Sequence, residues 1–142
     1  MQLTLIRNTD LEMSDAYKIA RVVYAETGAR SLRVVEALTS MIYNSARHTG
    51  RAPTQVVRDA GMFECLVPKS ARHQLLHVDA MRNDFQMCVR VARRMLRGNL
   101  NDACRGAVRF HHADDLPQWA VARGYIADID GLLFYLAGDQ DE

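Results

Sequence analysis

Residues 22–30, VVYAETGAR, end an apolar helical run on an acidic side chain, Glu26, and follow it at once with a helix breaker, Gly28. Upstream, Ala16, Ile19, Ala20 and Val23 share one helical face. Thr9 to Glu12 fits a capping box and Ser14 offers a second N-cap, so the spacing predicts a helix that starts near residues 9–14 and stops at about Thr27. Downstream, Ser31 is placed to cap LRVVEALTSMIYNSA. There Val34, Val35, Leu38, Met41, Ile42 and Ala46 recur at helical spacing until Gly50. Two helices thus flank the short break that carries Glu26.

Beyond Gly50 the pattern loosens. Pro53, Gly61 and Pro68 surround a short helical pattern at residues 54–59, which reads as a turn-rich surface connection. From Asn83 a helix resumes, with Phe85, Cys88, Val91, Ala92, Met95 and Leu96 inward, Asp84 in its first turn and Gly98 just past its end. Arg90, Arg93, Arg94 and Arg97 fall on its outer stripe. After Asp102 the period changes to short β-branched or aromatic runs: GAVRF (106–110), YIADI (125–129) and LLFYL (132–136). Asp130-Gly131 marks a hairpin between the last two. The expectation is an α+β fold: one mainly helical domain over residues 1–142, core about 14–136, with a small antiparallel sheet near the C-terminus.

A chain of 142 residues can bury a core without staples, and a formal net charge of +1 gives no general attraction to polyanions. Cys65, Cys88 and Cys104 are odd in number and form no CxxC, so they read as core residues rather than a disulfide or zinc framework. The first residues lack the pattern of a cleaved leader, and no apolar run approaches the roughly 20 residues that span a bilayer. The expected location is cytoplasmic as synthesised.

Three features carry chemistry. Glu26, beside Val22, Val23 and Tyr24 at a helix C-terminus, meets partial negative charge and an apolar wall. Both disfavour ionisation, as a general acid requires; the bland alternative is a solvent-facing helix end. In HHADDLPQW (111–119) two His and two Asp crowd together, but neighbours on a strand point to opposite faces, so His111 and His112 do not share an ion; no metal is expected. Trp119 either caps the core or offers a flat apolar face to a sugar ring or base. The arginine stripe admits a phosphate-binding reading. With no interleaved aromatic it reads as a solvated face, and no nucleic-acid partner is expected.

Taken in order, ARVVYAET, IYN, GMFECL, GAVRFHH, PQW and IDGLLFY resemble the conserved blocks of the SleB-type cell wall hydrolase family over about residues 16–136. The resemblance implies a lysozyme-like fold and action on peptidoglycan glycan strands, commonly as a lytic transglycosylase, without a cofactor. It places Glu26 at the catalytic acid and Asn44 at the family's asparagine. Phe63 falls on the GxF aromatic, Phe110 and His111 on the strand block, and Trp119, Phe134 and Tyr135 on the later aromatics. The chain departs from the pattern at Arg30, Val34, Ser45 and Leu132, where the family usually has an acidic residue, glycine, arginine and histidine.

That resemblance implies single-carboxyl chemistry. Glu26 protonates the glycosidic oxygen, then takes the proton of the muramyl 6-hydroxyl as that group attacks C1. Tyr43, Asn44 and His111 are candidates for orienting the sugar, and Phe63, Trp119 and Tyr135 for lining the cleft. A true hydrolase needs a second carboxylate, for which Asp114 and Asp115 are candidates. The alternative function is a non-catalytic glycan-binding module. In either case the protein reaches the wall by another route, such as phage-type lysis or delivery on a particle.

Overall fold

A computed structural model describes residues 2–138, with side chains from Asp10 onward. Four helices, α1 (Gln2–Thr27), α2 (Leu32–Thr49), α3 (Pro53–Val56) and α4 (Asn83–Leu96), precede a sheet of β1 (Arg109–His112), β2 (Tyr125–Ile129) and β3 (Leu132–Tyr135). The α+β architecture with a small C-terminal antiparallel sheet is therefore observed. No helix among the described residues is long and apolar enough to cross a membrane.

The helix α1 runs straight through the expected start signals at Thr9 and Ser14. No glycine or proline interrupts residues 2–27, and polar caps are tolerated inside a helix when nothing breaks its ladder. Glu12, read as a capping-box member, instead pairs with Arg93 and Arg97 of α4 at 3.1 and 2.8 Å. Those two pairs, with Arg94–Glu36 at 2.9 Å, occupy most of the arginine stripe. Between α1 and α4, Phe85 is fully buried and meets the edges of Tyr17 and Tyr24, with ring centroids 5.6 and 6.0 Å apart. Burying such a side chain contributes about 1.5–3 kcal/mol.

The break between α1 and α2 is built from side chains. Gly28 and Ala29 both take positive φ, 63° and 51°, and Thr27 Oγ1 accepts from Ala29 N at 3.0 Å. Ser31 then caps α2 by accepting from Val34 N at 3.1 Å, and Gly50 ends the helix at φ 72°. Arg30 joins this corner to the sheet. Its Nη1 donates to Thr27 O at 2.7 Å and its Nε to Asp130 O, in the β2–β3 turn, at 3.0 Å.

Two sequence expectations shift. The strand expected at 106–110 forms at Arg109–His112, because Asp102 and Asn44 hold the residues before it in a turn. The 50–82 connection is not wholly at the surface either: Val56, Val57, Phe63 and Cys65 are buried, driven there by their apolar side chains. The sheet order is β1-β3-β2, with Phe110 opposite Phe134 and His112 opposite Leu132.

Candidate functional site

Glu26 closes α1, Cys65 belongs to the 3-10 turn Glu64–Leu66, and His112 ends β1; these three meet in the interior. The Glu26 side chain has 0 % exposure. Its Oε2 accepts from Cys65 N at 2.8 Å and its Oε1 lies 2.6 Å from His112 Nε2. A buried carboxyl must be paired or hydrogen-bonded, and here both oxygens are. The burial of Cys65, with the charge of Glu26 beside it, pushes the thiol well above its usual value, so Cys65 contributes its backbone N–H and not a nucleophile.

With 0 % exposure Glu26 does not open onto a groove, and residues of the 64–73 segment, which lie against it, form a cover. Glu64 is exposed, yet a carboxylate oxygen of Glu64, one of Glu26 and a ring nitrogen of His112 all lie within 4.8 Å of one another. Arg72 bridges Glu64 Oε2, at 3.0 Å from its Nε, and the Glu26 carbonyl, at 3.3 Å from its Nη1. His73 Nδ1 completes the cover at 2.9 Å from Cys65 O. His112 Nε2 is engaged by Glu26 and, among the described residues, Nδ1 has no hydrogen-bond partner. Since no buried side-chain nitrogen or oxygen among the described residues is left unpaired, Nδ1 is in contact with solvent.

The other residues expected at the site are divided among separate places. His111, Trp119 and Tyr135 cluster on the sheet face opposite His112. Ring centroids are 5.7 Å from His111 to Trp119, 5.3 Å from His111 to Tyr135 and 5.1 Å from Trp119 to Tyr135. Burial, followed by the neighbouring Tyr125, raises the Tyr135 phenol above its usual value. The phenol can thus donate to His111 Nε2 at 2.8 Å, while His111 Nδ1–H donates to His112 O at 2.8 Å. Phe63 is wholly buried against Phe110, 5.7 Å away, and so braces the core.

Asn44 is a brace as well. Its amide donates to Ala107 O at 3.1 Å and Asp102 Oδ2 at 3.2 Å, which ties the loop ahead of β1 to α2. Tyr43 and Asn44 line a small cleft of about 90 Å³ with Ser40, Met95 and Asp102. Asp114 and Asp115 are exposed in the turn after β1. Trp119 lines two grooves, of about 420 and 340 Å³, which share Arg109. The larger one is also lined by Met62, His48, Asp59 and Ser45. The Arg109 guanidinium sits 4.9 Å from the Trp119 ring centre.

Sequence reasoning missed His112 and Glu64. The adjacent histidines gave a signal, since one of the pair must face inward, but only the strand register decides which. No family model, curated protein or solved structure matches the chain.

Proposed function

We propose that this chain cleaves the β-1,4 bond between N-acetylmuramic acid and N-acetylglucosamine in peptidoglycan, with Glu26 as the acid and base of a lytic transglycosylase. The observation that carries the reading is a fully buried carboxyl held by an imidazole and a backbone N–H rather than by a permanent cation. Such a group lies within hydrogen-bond reach of a partner that can pass a proton, which is the geometry general acid–base work requires. The proton passes from Glu26 to the leaving glycosidic oxygen as the C1–O bond breaks. The muramyl 6-hydroxyl then bonds to C1 and returns its proton to Glu26, giving a 1,6-anhydro ring.

Substrate access requires the 64–73 cover to move. Its construction supports that movement: from Leu66 to Arg82 no residue is fully buried, and the segment holds only 3-10 turns. Segments with few buried apolar contacts open locally at a fraction of the global cost. Trp119, at the junction of its two grooves, supplies an apolar face for a sugar ring, with Arg109, His48 and Asp59 as polar neighbours.

A second reading follows from the sealing of Glu26: a glycan-binding module that grips through the Trp119 grooves and cleaves nothing. Purified sacculi separate the two. Release of anhydro-muramic fragments that is lost in Glu26→Gln supports cleavage by transglycosylation. Fragments with reducing muramic acid mean hydrolysis, for which Glu64 is the second carboxylate brought near Glu26. Binding of sacculi that is lost in Trp119→Ala, without any fragments from wild type, supports the module and rejects the enzyme.

A further inference from the structure

We propose that Glu26, Glu64 and His112 form a binding site for one divalent transition-metal ion of the Zn²⁺ class, which locks the cover shut. The inference concerns the same carboxyl as the proposed reaction but does not require that reaction to occur. Its ligands come from three elements far apart in sequence, the end of α1, the 3-10 turn Glu64–Leu66 and the end of β1. One donor atom from each already lies within 4.8 Å of the others.

The donor set suits the ion. Zinc takes both imidazole nitrogen and carboxylate oxygen at metal–ligand distances of about 2.0–2.2 Å, and a site with three protein ligands leaves a fourth position for water. Tetrahedral geometry at those lengths puts donor atoms about 3.3 Å apart. The 2.6 Å contact of His112 with Glu26 therefore opens by several tenths of an ångström, and the ion replaces the proton that the two now share. Glu64 moves by rotation of an exposed side chain. Two negative charges and a neutral ring balance a dication. Mg²⁺, which demands oxygen ligands in octahedral array, does not fit an imidazole-containing set of three.

The surroundings fix two of the donors. Cys65 N–H holds Glu26 Oε2 at 2.8 Å, which leaves Oε1 to face the ion, and the end of β1 sets the His112 ring. Arg72 opposes the ion, because its guanidinium holds Glu64 at 3.0 Å and must release it. That pair is partly exposed, 30 % and 55 % at the side chains, and contributes little by itself. Metal binding then cross-links the cover to α1 and β1. Glu26 loses the oxygen it would use on a glycosidic bond, so occupancy is inhibitory.

Isothermal titration of the chelator-stripped full chain with ZnCl₂, and separately with MgCl₂, tests this in the absence of substrate. The expected result is one equivalent of Zn²⁺ bound with proton release, no Mg²⁺ binding at the same concentrations, and at least a tenfold loss of Zn²⁺ affinity in Glu64→Gln. Because Glu64 is exposed, that variant keeps the fold, and Cys65→Ser serves as a control that keeps the affinity. X-ray absorption of the loaded protein should show only nitrogen and oxygen neighbours. Absence of saturable Zn²⁺ binding, wild-type affinity in Glu64→Gln, or sulfur at the metal would overturn the site. Zn²⁺ binding by a protein that releases nothing from sacculi in chelator would reject the proposed reaction and leave the site standing.

Discussion

Truncating Glu26 to alanine should destabilise the fold far more than changing it to glutamine, and the size of the gap follows from the hydrogen bonds. In Glu26→Ala the Cys65 N–H is stranded in the interior, at a cost of about 1–3 kcal/mol, and His112 loses its partner. Removing one member of a buried pair costs about 3–5 kcal/mol in all, and since one carboxyl makes both contacts the two figures overlap rather than add. Against a total stability of about 5–15 kcal/mol the loss is large. At about 3 °C per kcal/mol for a chain of this size, the midpoint of thermal unfolding should fall by about 10–15 °C.

Glutamine keeps the geometry. Its carbonyl can accept from Cys65 N–H and its amide can donate to His112 Nε2, with the ring proton carried on the solvent-facing Nδ1. Glu26→Gln should therefore stay within about 1 kcal/mol of wild type. Urea unfolding followed by far-ultraviolet circular dichroism measures both variants at pH 7. A cycle with His112→Ala should give a coupling of about 1–3 kcal/mol. An alanine variant within 1 kcal/mol of wild type, or a glutamine variant as weak as alanine, refutes the claim that this pair is fully formed and sealed.

Three more outcomes are expected. The thiols should be inert in the native state: burial, then the charge of Asp84, moves Cys88 up to about 12, and burial raises Cys65 and Cys104 further. A thiol reagent at pH 8 should find almost none until denaturant exposes three; rapid native labelling of even one would contradict the buried core. Burial alone would raise Asp102, but hydrogen bonds from Cys104, Asn44 and Gly106 outweigh it and hold the carboxyl below its usual value. Its stabilising effect is thus present above about pH 4 and lost as pH falls through the lowered folded value. Because Asp102 is exposed, the stability gap to Asp102→Asn should be about 1 kcal/mol or less at pH 7 and should close toward pH 3; a gap unchanged at pH 3 would count against it. Finally, amide exchange should open residues 66–82 well before α1, α2 and α4, whereas uniform protection across all four segments would argue against a mobile cover.

The helical scaffold was legible where chemistry at the ends of elements is local. Ser31 and Gly50 bound α2 because a side-chain cap and a left-handed residue act within one turn, and Asp130-Gly131 marked the hairpin for the same reason. The start of α1 was not legible. Thr9, Ser14 and Glu12 look like caps only while the chain before them is assumed to be non-helical, and Glu12 is held by α4, which is remote in sequence. The site was half legible. Glu26 stands out by its neighbours, but β1 is covered on both faces after Arg109, so alternation could not say whether His111 or His112 turns toward it. Glu64 gave no signal, because an exposed glutamate in a turn looks like any other.

Two residues outside the site bear on how tightly the carboxyl is held. Arg30 spends its guanidinium on the end of α1 and on the β2–β3 turn, so it fixes the corner that presents Glu26. Leu132 is fully buried directly across the ladder from His112. A polar side chain there would give His112 a second partner. With leucine, the ring has Glu26 alone on its inner nitrogen. An apolar neighbour across the ladder therefore leaves His112 committed to Glu26. Any group that reaches Oε1 of Glu26 must therefore part it from the imidazole, either by displacing the ring or, as a metal ion would, by binding between the two.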